Sequence, residues 1–151
     1  MAAFFGHAGT PEVALAAGVA KTVLQIVAPA NQRLRIIGFG LFFDGTSGTD
    51  APVLTRVLRQ TTAGTFVSTA QIPTKADDSL AEAMLTRFQY DATAEPTPGD
   101  VMKRLNVHPQ SGYEIMYPPG QEIYVGGSDR LGIECTAGAV VNVVAVFYFE
   151  E

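Results

Sequence analysis

Arg33-Leu34-Arg35-Ile36-Ile37-Gly38-Phe39-Gly40-Leu41-Phe42-Phe43-Asp44 is the stretch on which the fold turns. Leu34 and Ile36 alternate with Arg33 and Arg35, as on a strand with one wet face. At Gly38 and Gly40 the phase breaks, and Ile37, Phe39, Leu41 and Phe43 share the other face. A switch of apolar face at glycines reads as a bulge or bend, here where a long strand crosses between two packed layers. The turn-forming run Asp44-Gly45-Thr46-Ser47-Gly48-Thr49-Asp50 closes it.

Short β-rich segments lie on both sides of this strand. Thr22 to Val27 precedes it; Val53 to Gln60, with Arg56 and Arg59 on opposite faces as suits a position near an edge, and Thr65 to Ile72 follow. Further on, Leu105 and Val107 alternate with Arg104, Asn106 and His108. Tyr113, Ile115 and Tyr117 alternate with Glu114 and Met116, and Leu131, Ile133 and Cys135 with Arg130, Glu134 and Thr136. Pro118-Pro119-Gly120 and Gly126-Gly127-Ser128-Asp129 are turns between them. Val140 to Phe149 is apolar at nearly every position, which suits a strand covered on both faces, by the opposite layer and by the chain's own arm or a neighbouring subunit. Its one polar interruption, Asn142, needs a hydrogen-bond partner if buried.

Two segments depart from this rhythm. Residues 1–20 are rich in Ala and Gly and read as an N-terminal arm ahead of a single domain over 21–151. Its Phe4, Phe5, Val13 and Leu15 are candidate contacts that fold back on the body or dock on a partner, and removing Met1 to Ala17 is expected to spare the fold. Asp77 to Phe88 carries an N-cap candidate at Asp78 and good helix formers after it, which predicts one short helix. Asp91 to Asp100, with Pro96 and Pro98, then reads as a loop. About eight strands with Gly and Pro turns and no βαβ alternation give an all-β fold, a two-layer antiparallel β-sandwich. The long second strand, the mid-chain crossover and the apolar closing strand favour a jelly roll over an immunoglobulin-like sandwich.

The 151 residues are 47% hydrophobic and 17% charged, with a net charge of -5, enough apolar surface for a core without disulfides. The acidic balance argues against nucleic acid as a partner. The apolar runs are too short to cross a membrane as helices. The first base is Lys21, so the leading segment lacks a positively charged n-region; synthesis in a reducing cytoplasm, compatible with the lone Cys135, is expected. The charge is concentrated: Asp77, Asp78, Glu82, Asp91, Glu95 and Asp100 face only Arg87 across residues 77–100, so one acidic crossover accounts for the whole excess. Solvent is its expected environment.

Residues for catalysis are few. His7 falls in the arm and His108 on the polar side of its strand, and no His and carboxylate set has metal-ligand spacing, so neither metal nor cofactor is expected. Cys135 shares the inward phase of Leu131 and Ile133 and reads as a small core residue. Gly38-Phe39-Gly40 lacks the third glycine and the helix of a dinucleotide fingerprint. Tyr124 and Tyr148 are aromatics suited either to stacking on a sugar or to contacts between subunits.

Lys21-Thr22-Val23-Leu24-Gln25-Ile26-Val27-Ala28-Pro29, Arg33 to Gly40 and the Phe43-Asp44-Gly45-Thr46 turn resemble the jelly-roll head decoration, or cement, proteins of tailed bacteriophages. Pro118-Pro119-Gly120-Gln121-Glu122 and Arg130 to Thr136 agree with the resemblance, which spans Lys21 to the end. It implies a non-enzymatic virion protein made in the bacterial cytoplasm. Such a protein is a dimer or trimer on the outer surface of the head, where it bridges major capsid subunits. The alternative is a carbohydrate- or receptor-binding module on a phage particle, using the loops Asp44 to Asp50 and Asp91 to Asp100.

Overall fold

In the computed structural model, which describes residues 4–151, the deciding stretch is strand β4 (Leu34–Phe43). The strands before it are β1 (Phe5–Gly9), β2 (Val13–Leu15) and β3 (Ala20–Val27). Those after it are β5 (Val53–Gln60), β6 (Thr65–Phe66), β7 (Thr74–Lys75), β8 (Arg87–Tyr90), β9 (Ala92–Ala94) and β10 (Pro98–Val107). The chain ends in β11 (Gly112–Met116), β12 (Ile123–Val125), β13 (Arg130–Thr136) and β14 (Val141–Glu150). All the ladders between them are antiparallel. One sheet has the order β11-β4-β14-β1-β7, with β12 also on β4 and β2 also on β14; the other runs β10-β5-β13-β3-β8. The inner faces of both meet in one core, with Phe39, Leu41, Phe147 and Phe149 from the first and Leu24, Ile26, Val57, Leu131 and Ile133 from the second. The fold is all-β and sandwich-like.

The glycine-marked phase break in β4 is a bulge, and the strand stays in one sheet. Tyr148 pairs with Gly38 and Phe149 with Ile36, so Ile37 is the extra residue. That one-residue slip puts Leu34 and Ile36 on the same inner face as Phe39 and Leu41, and all four are buried. The bulge therefore rephases the strand where the sequence pattern indicated a crossing between layers.

The arm expected over residues 1–20 is largely part of the sheet. β1 pairs with β14 from Phe5↔Glu150 to Gly9↔Val146, and β2 pairs with β14 through Val13↔Val143 and Leu15↔Val141. Thr10 lies between them and both donates to and accepts from the Ala145 backbone, at 2.9 and 3.0 Å. Ala8, Val13 and Leu15 are buried. Burying a Val or Leu side chain contributes about 1.5–3 kcal/mol, more than an unattached arm could gain by leaving them in water.

The expected helix over Asp77 to Phe88 is absent, and no helix forms among the described residues. Its backbone groups are used by other partners. Lys75 Nζ donates to the carbonyls of Leu80 and Glu82. Asp77 accepts from the Ser79 N–H and hydroxyl at 2.9 and 2.6 Å. The Leu85 and Thr86 N–H groups donate to the Glu151 carboxylate at 2.8 and 2.7 Å, and Met84 enters the core. A helix of two or three turns is marginal on its own, so these tertiary partners outweigh local propensity. Residues 91–100, read as a loop, contain β9 and the start of β10.

The outer face of the five-stranded sheet carries a one-way chain of hydrogen bonds. Gln89 Nε2 donates to Gln25 Oε1 (2.7 Å), Gln25 Nε2 to Gln60 Oε1 (2.7 Å), Gln60 Nε2 to Thr22 Oγ1 (2.9 Å), and Thr22 Oγ1 to Glu95 (2.6 Å). Thr22 and Gln25 are fully buried and Gln60 nearly so. Beside them Lys21 pairs with Asp91 at 2.7 Å. Two carboxylates of the acidic crossover thus hold it to the sheet, which corrects the expectation that the segment simply faces water. On the same face Arg56 binds Glu134 through Nε (2.9 Å) and Nη2 (2.5 Å). β5 is one strand in from the edge, and this partner lets it carry Arg56 there.

Cys135 is fully buried, and burial pushes its thiol up to about 12. The folded protein should leave a disulfide-based thiol reagent unconsumed at pH 8 and release one equivalent on denaturation. Rapid reaction of the native chain would show that this part of the core opens readily.

Candidate interaction surface

The strand register sets out the outward face of the seven-stranded sheet row by row. Phe5, Glu150, Arg35 and Tyr124 form one row across β1, β14, β4 and β12. His7, Tyr148, Gly38 and Met116 form the next, then Gly9, Val146, Gly40 and Glu114, then Val144, Phe42 and Gly112. Phe5, Phe42, Met116 and Tyr124 are each between 41% and 54% exposed, far from core values for such side chains. Val144, Val146 and Tyr148 are half-buried. Of the two covers expected for the outer face of β14, the arm is not one: β1 and β2 extend the sheet beside it and leave that face exposed within this chain.

Glycines form the floor of this face. A Cβ on Gly40 would sit 3.3–3.4 Å from Phe42, Glu114 and Val146, and one on Gly38 would run into Met116 and the Ile115 carbonyl. The Phe42 ring lies over Gly112 in the same way. Large side chains, Phe42 of β4 itself and Met116 and Val146 of its neighbours, thus pack over glycines of β4 and β11 and make a broad, shallow apolar surface. Across it, His7 meets the Tyr148 ring edge-on at 5.3 Å. Burial first, and then the Glu114 carboxylate, raise the Tyr148 phenol above its usual range.

The two ends of the face differ. At one, the Arg33 guanidinium stacks on Tyr124 at 4.6 Å, and Arg35 is held between Glu150 and Glu122. Arg33, Arg35, Tyr124, Glu150 and Glu151 line an open recess of about 340 Å³. At the other, Asp44 accepts from the Asn142 N–H and Nδ2, both at 2.8 Å, and those bonds hold its carboxyl below the usual range. Asn142 thus has its partner, at the strand end. Glu12, Asp44 and Glu114 form no ion pair among the described residues.

Of the residues singled out from sequence, Phe5, Tyr124 and Tyr148 come together on this face. Phe4 is half-buried against the core and exchanges backbone hydrogen bonds with Glu151 at 3.0 and 2.8 Å. Val13 and Leu15 are each 1% exposed and are core residues, so they are withdrawn as contacts with another chain. Sequence reasoning missed His7, Phe42, Glu114, Met116, Val144 and Val146. The apolar outward phase of β14 was the available signal, and register supplied the rest.

The sheet edges on one flank are poor templates for an added strand. β10 slips register twice against β5, between Pro98 and Lys103, and the chain after β11 runs into Pro118-Pro119. A broad face is therefore the better docking element. His108 Nδ1 accepts the Gln110 N–H at 3.2 Å in a local turn. Tyr117 is pushed up to about 12 by burial, with Tyr113 adding to the shift. No group of three or more His, Cys, Asp or Glu with metal-binding geometry occurs among the described residues. Comparison with protein-family models, curated proteins and solved structures found no match.

Proposed function

We propose that this chain is a non-enzymatic virion protein that decorates the outside of a tailed-phage head and cements neighbouring major capsid subunits, itself associating as a dimer or trimer. The observation that carries the reading is the open apolar face of Phe5, Phe42, Met116, Val144, Val146 and Tyr148 on a rigid β body. An exposed apolar patch rimmed by polar groups is the usual mark of a protein contact. Repeated by capsid symmetry, a contact of modest strength suffices to hold a shell. The resemblance of Lys21 to Pro29 and Arg33 to Thr46 to decoration proteins supports the same reading. So does the strand order β3-β13-β5-β10, in which strands close in sequence are split between two sheets, as in a jelly roll.

Expanded heads prepared without this chain test the proposal. Added protein should saturate at a fixed ratio to the major capsid subunit and raise the temperature at which heads rupture, and Val146→Asp should abolish both effects while leaving the β circular dichroism unchanged. Failure of the unaltered protein to bind such heads would reject the reading. The recess beside Tyr124 favours a second reading, a sugar-binding module, because it sets an aromatic ring among charged hydrogen-bonding side chains. A glycan array reporting specific hits that are lost in Tyr124→Ala would favour it.

A further inference from the structure

We propose that the small recess at the Asp44 end of the outer face receives a lysine or arginine side chain from a partner protein. The inference rests on the reading of this face as the docking surface and names the chemistry that it selects. The recess measures about 150 Å³ and is lined by Phe42 and Val144 of the outer face, by Phe43, Asn142 and Val143 next to them in their strands, and by Glu12 and Asp44. Apolar walls with carboxylates beside them match a side chain that is aliphatic along its stem and cationic at its tip. A bare divalent ion would need six or more oxygens around it, more than the side chains of Glu12, Asp44 and Asn142 supply.

The two carboxylates are set differently. Asp44 is fixed by its two bonds from Asn142, and each of its oxygens retains a lone pair for a further donor. Glu12 follows Pro11 on the β1–β2 connection, is exposed, and accepts no side-chain hydrogen bond among the described residues. Glu114 lies further along the same face, again without an ion pair. A chain of net charge -5 that presents apolar surface beside carboxylates without a cationic partner among the described residues complements a basic, apolar segment better than a second copy of itself.

The test uses the full-length ¹⁵N-labelled protein and three capped tripeptides, Leu-Lys-Leu, Leu-norleucine-Leu and Leu-Glu-Leu. The lysine peptide should shift the amides of Glu12, Phe42 to Asp44 and Asn142 to Val144. It should bind about fivefold more tightly than the norleucine peptide at low salt, the size expected of one exposed charge contact, and lose that margin as salt rises. Glu12→Lys, at a side chain with no structural partner, should remove the preference while its spectrum otherwise overlays the original. Equal binding of the three peptides, or shifts centred elsewhere, would overturn the assignment. Dilution-dependent shifts at the same residues without peptide would replace the partner with a second copy. Because no phage component is present, the recess can fail while decoration stands, and the reverse.

Discussion

Deleting residues 1–17 should cost the fold about 5 kcal/mol or more, comparable to the whole stability of many domains of this size. Three losses add. β14 loses its partners along both β1 and β2, exposing the backbone of the strand that carries Phe147 and Phe149 into the core. Val13 and Leu15 leave the core, at about 1.5–3 kcal/mol each. The Ala145 backbone, now bonded in both directions to Thr10, is left for water to satisfy. Chemical denaturation followed by circular dichroism should therefore show a midpoint far below that of the full chain, or a protein that precipitates on expression. A truncated chain within about 1 kcal/mol of the original would mean that these residues are an appendage after all. The result also governs how head binding is tested: loss of binding on truncation would report unfolding, whereas Phe5→Ser, at an outward position, leaves Val13 and Leu15 in place.

Strands with large side chains on one face and polar ones on the other were legible from their alternation alone. β13 is the clearest case: Leu131, Ile133 and Cys135 face the core as their alternation predicts. β1 was hidden because its inward residues are Gly6 and Ala8, which carry no hydrophobic signal. Gly6 is small by necessity, since a Cβ there would fall 2.5 Å from the Met84 methyl and 2.8 Å from Phe149. The same Met84 helped make residues 77–88 look helical, although its contacts are with the core. Both misreadings come from one packing event, invisible locally because its partners are about 80 and 140 residues from Gly6 in the chain. The outer face was half legible. Phe5, Tyr124 and Tyr148 stood out as aromatics, but that they share a face with Phe42 and Met116 depends on the bulge at Ile37 and on the order β12-β4-β14-β1, which no periodicity encodes.

The glutamine chain makes a second large effect expected at a residue without a side chain. A Cβ on Gly132 would lie 2.5–2.7 Å from the Oε1, Cδ and Nε2 atoms of Gln60, so Gly132→Ala must displace that amide. An exposed glutamine would swing aside at little cost. Gln60 is 4% exposed, accepts from Gln25 and donates to Thr22, so moving it leaves buried donors and acceptors unpaired. At about 1–3 kcal/mol per unsatisfied group, Gly132→Ala should cost about 2–4 kcal/mol. Gln60→Ala alone breaks the same two bonds and should cost nearly as much. The discriminating measurement is the double variant. With the Gln60 amide gone, the methyl group introduced by Gly132→Ala occupies the space it vacates, so the pair should be no less stable than Gln60→Ala, a coupling of about 2–4 kcal/mol, the whole cost of Gly132→Ala alone. Urea denaturation of the four proteins reads this directly. Strictly additive losses would mean that Gly132 is required by the backbone and that the amide chain does not bear on it. Strong coupling would establish that Gln60 is held against the glycine by its partners. Thr22 and Glu95 continue the same chain, so loss of the Gln60 amide should also speed hydrogen exchange around residues 92–97, where the crossover is fastened to the sheet.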